Sequence, residues 1–142
     1  MSESKALDDA LYQRITELSA RGDEMAADND YEDAVAMYKA ALGLLPAPQT
    51  DWEAATWLYV AIGDARFHQR EFGMAWKALS NATFCPGGIG NPFLHLRLGQ
   101  CALELGDREA AREELIHAYG IAGQFIFRED DPKYLAAIAD LI

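Results

Sequence analysis

The sequence predicts an all-α fold. Apolar residues recur at three- and four-residue intervals over most of its length, and alternating β-branched runs are nearly absent. Proline, glycine and short polar residues interrupt the pattern where helices would end. The 142 residues, 51% of them hydrophobic and 25% charged, are one domain's worth of chain. That length buries roughly two thirds of its unfolded surface in a single core.

Leu7, Leu11, Ile15, Leu18, Gly22 and Met25 mark one side of a first helix from Ser4 to about Asp28. Asp28-Asn29-Asp30 interrupts it, and Asp30 is placed to cap a second helix with Ala34, Val35, Tyr38, Ala41 and Leu42 inward. Pro46 and Pro48 end that helix. Thr50-Asp51-Trp52-Glu53 matches a capping box, so a third helix is expected from near Asp51 to Gln69-Arg70-Glu71, burying Ala54, Ala55, Leu58, Ile62 and Ala65. A fourth follows from Phe72 with Ala75, Trp76, Leu79 and Ala82 inward, until a loop of one proline and three glycines at 84–90 stops it. Asn91-Pro92 is an N-cap with proline at the first helical position. A fifth helix (Leu94, Leu98, Cys101, Leu105) turns at Gly106-Asp107 into a sixth (Ala110, Ala111, Leu115, Ala118). After the apolar, glycine-punctuated 121–127, Asp131-Pro132 starts a seventh helix over about 132–141, which presents Tyr134, Leu135, Ile138 and Leu141.

Twenty-three acidic against twelve basic residues give a formal charge of −11, which argues against nucleic acid or an anionic membrane as partner. The charge is uneven: residues 1–50 carry ten acids and four bases, 51–90 four and three, and 91–142 nine and five. No apolar run approaches the roughly 20 residues of a membrane span. The N-terminal MSESKALDD has no apolar signal region, and Cys85 and Cys101 lack CxxC spacing, so the expected compartment is the cytoplasm.

Gly22, Gly63 and Gly99 are each followed twelve residues later by Ala34, Ala75 and Ala111, and seven further on by Ala41, Ala82 and Ala118. Four residues past the first alanine stands a large apolar residue, Tyr38, Leu79 or Leu115. Small residues let two helices approach while the large one fills the groove beside them. The units span about 15–48, 56–89 and 92–125. This pattern resembles the tetratricopeptide repeat, a helical hairpin of about 34 residues. Tyr31 and Phe72 stand at its aromatic position, and Pro46 and Pro86 at or beside its terminal proline. The third unit departs with Arg108 and Gly123, the first lacks the glycine before its turn, and Leu18, Tyr59 and His95 replace the early tryptophan. The resemblance implies a TPR-like right-handed superhelical stack of three hairpins plus a C-terminal capping helix, with residues 1–142 forming a single domain.

Phosphate loops, HExxH, paired cysteines and nucleophile elbows are not found, so neither an enzyme nor a cofactor is expected. His68, His95 and His117 stand on separate helices without metal-ligand spacing. DNDYED at 28–33 has Asp33 where a calcium loop needs glycine and Lys39 where it needs glutamate, and reads as a turn and cap. Asn81-Ala82-Thr83 is a glycosylation sequon in form only.

The resemblance implies that the concave surface, lined by the first helix of each hairpin, binds another protein. Carried over, its inward positions are Ser19, Asp23 and Ala26; Trp57, Val60, Ala61, Asp64, Phe67 and His68; and Phe93, Leu96, Arg97 and Gln100. Trp57, Phe67, Phe93 and Arg97 are the expected anchors, because aromatics and arginine dominate interface energetics. Family members that grip the carboxylate tail of a chaperone use lysine, asparagine and arginine at matching positions, of which only Arg97 is matched here; Asp23 stands where an asparagine would be and would repel an anion. CPGGIGNPFLHLRLGQ and FREDDPKYL further resemble small stand-alone bacterial tetratricopeptide proteins associated with secreted antibacterial toxins. Two functions are therefore expected: an adaptor or assembly scaffold, or an immunity protein that neutralises a basic toxin domain. Self-association through a terminal repeat is a third mode.

Overall fold

The structure, a computed structural model, describes residues 7–142. Seven α-helices are present among them: α1 (Asp9–Ala27), α2 (Tyr31–Gly43), α3 (Glu53–His68), α4 (Phe72–Ala82), α5 (Pro92–Glu104), α6 (Arg108–Ala122) and α7 (Pro132–Ala136). Short 3-10 turns occupy Gln49–Asp51, Gln124–Phe127 and Ala139–Leu141. Helices α1 and α2, α3 and α4, and α5 and α6 pair as hairpins, and α2 packs on α3 as α4 packs on α5.

The small-residue pattern sets these packings. Gly22, Gly63 and Gly99 are all buried, and an added Cβ would stand 2.6 Å from Tyr38 Cε1, 2.5 Å from Leu79 Cγ and 2.5 Å from Leu115 Cγ respectively. Each large residue of the second helix therefore sits against the bare backbone of the first. Tyr38, Leu79 and Leu115 are 3% exposed or less, and the six repeated alanines are wholly buried.

All three hairpin turns share one backbone device. Asn29 (φ 63°), Arg70 (φ 63°) and Gly106 (φ 86°), each seven residues past a packing glycine, take the left-handed conformation. The following N–H groups, of Asp30, Glu71 and Asp107, donate to Met25, Arg66 and Ala102 carbonyls at 2.8–2.9 Å. This satisfies helix-end carbonyls otherwise left without partners. Asparagine tolerates that conformation, so the first hairpin turns without the family's glycine.

Several element ends depart from the sequence expectation. The Ser4 start of the first helix lies outside the described residues; α1 starts at Asp9, with the Asp8 carboxylate accepting from Ala10 and Leu11 N–H. Asp30 precedes α2 without making a side-chain cap hydrogen bond. The capping box at Thr50 does not form: 49–51 is a 3-10 turn, and α3 starts at Glu53 behind an extended Trp52. Gln49 Nε2 donates to Leu42 O and Trp52 Nε1 to Pro46 O, which hold the chain in that turn. Trp76 is only partly buried and Leu105 is 53% exposed. Asn91 and Asp131 cap α5 and α7 as expected, each with proline at the first helical position. The last helix is shorter than expected and passes into a 3-10 turn, leaving Leu141 48% exposed while Tyr134 and Ile138 are buried.

After α6 the chain folds back over the third hairpin. Phe127, Tyr134, Ala137 and Ile138 join Leu96, Ala111 and Leu115 in one apolar cluster. Tyr134 donates to Glu104 at 2.6 Å, Lys133 pairs with Glu104 at 2.6 Å, and Arg112 binds both the Ala137 carbonyl and Asp140. The segment thus closes the open end of the stack.

Candidate protein-binding face

Helices α1, α3 and α5 carry the residues that the repeat register turns inward. Repeat-equivalent positions differ in burial. Val60, Ala61 and Asp64 on α3 are half-buried, whereas their counterparts Leu96, Arg97 and Gln100 on α5 are 1%, 8% and 0% exposed. On α1, Ser19 is buried while Asp23 is exposed and Ala26 half-buried. The difference on α5 is made by the C-terminal segment, whose Phe127 and Tyr134 pack beside Leu96 and whose Asp130 reaches Arg97.

Arg97 is the centre of this network. Its guanidinium lies 4.5 Å from the Phe67 ring centroid and 4.8 Å from that of Phe93, sandwiched between two hairpins. Nε donates to Asp64 at 2.8 Å, and Nη1 to Gln100 Oε1 at 2.7 Å and to Asp130 at 3.2 Å. Two carboxylates therefore neutralise one buried cation, as burial of a charge demands. Arg97 and Gln100, expected to present themselves to a partner, are buried by this packing at the joint between hairpins two and three. Gln100 Nε2 has no hydrogen-bond partner among the described residues, a cost of about 1–3 kcal/mol, and its amide is held by the bond from Arg97 to its oxygen. Asp130 is the member that sequence reading missed. It lies 33 residues from Arg97, beside an Asp-Pro pair read only as a helix cap.

The strip that remains accessible runs down α3. Trp57, Val60, Ala61, Asp64 and Phe67 are half-buried and His68 is exposed. His68 stacks on Tyr31 at 5.5 Å, meets Phe67 edge-on at 5.7 Å and stands 3.5 Å from Asp64. Asp64 thus bridges His68 and Arg97, while Trp57 packs against the apolar cluster of the first two hairpins, apart from the Arg97 network. Asp23 accepts a 2.7 Å hydrogen bond from the Tyr38 hydroxyl. Burial first, then that bond to a carboxylate, pushes the phenol well above its usual range, so it stays a donor. Among the described residues, no cation on this face is both exposed and matched to the carboxylate-gripping set.

His95 and His117 are not separate, as their positions in sequence imply. Their rings stack at 3.9 Å, and together with Glu114 their ligand atoms lie within 4.8 Å of one another. The two rings lie nearly parallel, at 22°. The Gly90 N–H donates to His95 Nε2 at 3.2 Å and His95 Nδ1 lies 2.7 Å from Glu114, so both imidazole nitrogens are engaged. The arrangement ties the loop before α5 to α6. Cys85 and Cys101 are both buried, and burial pushes the Cys101 thiol up to about 12. Neither is poised as a nucleophile.

The fold and site define an all-α helical-repeat protein. No protein-family model and no curated protein matches the sequence. Among solved structures, the Yersinia enterocolitica type III secretion chaperone SycD in complex with a peptide of the translocator YopD is similar over 97% of this chain and 96% of that one, at 19% identity and TM-score 0.70. The C-terminal TPR-containing domain of a Plasmodium falciparum FK506-binding protein is similar over 96% and 94%, at 17% identity and TM-score 0.76. The first TPR domain of Spaghetti (RPAP3) bound to the HSP90 peptide SRMEEVD covers 89% and 97%, at 17% identity and TM-score 0.71. The fold is therefore TPR-like, as the repeat predicts.

Proposed function

We propose that this chain is a cytoplasmic protein-interaction module, an adaptor or assembly scaffold, that binds a segment of another protein on the inner face of its first two hairpins. The observation that carries this reading is the half-buried strip on α3, from Trp57 to His68, left uncovered where the equivalent strip on α5 is covered by the chain itself. Aromatic side chains beside polar groups are the composition of interface anchors. The similar structures of SycD with a YopD peptide and of PcrH with the chaperone-binding regions of PopB and PopD support a peptide-sized occupant.

Charge narrows the occupant. Asp23 and Asp64 lie along the face, and Arg97 is already neutralised by Asp64 and Asp130. A basic segment with apolar anchors is complementary to this face, and an acidic tail such as SRMEEVD is not. The second reading, an immunity protein for a basic toxin domain, draws on the same complementarity and the net charge of −11. Co-expression separates the two: an immunity protein rescues cells producing its toxin, whereas an adaptor leaves toxicity unchanged. A photo-crosslinking residue at Ala61 should trap the partner in host cells, and one at Met37, on the second helix of its hairpin, should not. Equal trapping at both positions contradicts the inner-face assignment.

A further inference from the structure

A second recess, of the opposite charge, lies on the other side of α3. Tyr59, Ile62 and Arg66 follow one another at three- and four-residue spacing, and at 100° per residue they face away from the Val60, Ala61 and Asp64 strip. With Lys39 and Leu42 of α2 and Lys77 and Ala78 of α4 they line a cavity of about 300 Å³. Its floor is apolar: Leu42, Ile62 and Ala78 are under 10% exposed, and the half-buried Tyr59 ring joins them.

The charge around this cavity runs against the rest of the molecule. Three of the twelve cations line it, and no acidic residue does, in a chain of net charge −11. Arg66 is already satisfied, donating to Glu32 and to Gln69 at 2.9 Å each, and forms a fixed wall. Lys39 and Lys77 are exposed and make no direct ion pair or hydrogen bond among the described residues, while Lys39 acts through its charge on Glu32, the carboxylate that Arg66 holds. Two exposed ammonium groups from two hairpins therefore flank one apolar recess.

We infer that this cavity binds a small amphipathic carboxylic acid, with its carboxylate between Lys39 and Lys77 and its apolar body on Leu42, Tyr59, Ile62 and Ala78. The volume is at the lower end of small-ligand pockets, which combine an apolar lining with a few placed polar groups. That size favours a compact molecule over a peptide segment. The site is independent of the inner-face reading, because it uses none of the same side chains.

Decanoate is the probe. Isothermal titration of the full chain with decanoate, below its micelle concentration, should show one site, and 1-decanol should bind several-fold more weakly, the scale of an exposed ion pair. Replacing both exposed lysines (Lys39→Gln with Lys77→Gln) should weaken decanoate by a similar factor without disturbing the fold. Trp57→Ala should leave decanoate binding unchanged, which separates this site from the inner face. The inference is overturned if decanoate does not bind, if decanol binds equally well, or if the lysine variant binds as the parent does. It is also overturned if an acidic apolar peptide occupies the cavity and decanoate does not displace it, since the occupant is then a protein.

Discussion

A Cβ added to Gly63 would stand 2.5 Å from both Cγ and Cδ2 of Leu79, a side chain with no free surface and nowhere to retreat. Overpacking of this kind costs about 1–3 kcal/mol. Gly63→Ala should lower stability by that amount in urea unfolding, and combining it with Leu79→Ala should cost less than the sum of the two single changes. Additive losses would show that glycine and leucine are not the coupled pair described. This contact was legible from spacing alone, because a packing glycine and its filler sit at a fixed offset within one hairpin. The burial of Arg97 was not. Its partners Asp64 and Asp130 are each 33 residues away, one in the preceding hairpin and one beyond α6, and no local pattern records that three segments meet.

Caps decide where the elements begin. The Asn91 side chain accepts from Phe93 and Leu94 N–H at 3.0 and 3.2 Å, so Asn91→Ala should cost about 1 kcal/mol. Thr50→Ala should change stability by less than about 0.5 kcal/mol, because Thr50 sits in a 3-10 turn ahead of the helix it was expected to cap. An equal cost in thermal unfolding would place the start of α3 at Thr50 after all. The sequence motif was sound but local, and it lost to the hydrogen bonds of Gln49 and Trp52 that shape the turn.

The C-terminal cap adds a pH dependence at the same scale. Burial raises the Glu104 carboxyl, but hydrogen bonds from Lys133 and Tyr134 together with the Lys133 charge outweigh it, so the folded value lies below the ordinary 4.5. A depressed carboxylate contributes stability that is present above pH 4.5 and lost as pH falls through the folded value. The thermal midpoint should therefore drop less steeply between neutral pH and pH 3 in Glu104→Gln than in the parent chain, and parallel curves would rule the contact out as a source of acid sensitivity.

For the molecule as a whole, the repeat register determines which sides of the helices face inward. The stack and its three hairpins were readable because each small and large residue recurs in phase. The extent of the open face was not readable, since it depends on how far residues 123–142 fold back over α5. That segment narrows the accessible inner face to the first two hairpins and leaves an aromatic and acidic strip open there, the surface proposed for docking. Nitrogen-15 NMR titration with two peptides of equal length tests this most directly. One peptide should alternate lysine with leucine and tryptophan, and the other should end in Glu-Glu-Val-Asp. The account predicts shifts at Trp57, Val60, Asp64 and His68 with the basic peptide and none with the acidic one. Shifts confined to α2 and α4, or binding of the acidic peptide at Arg97, would contradict it.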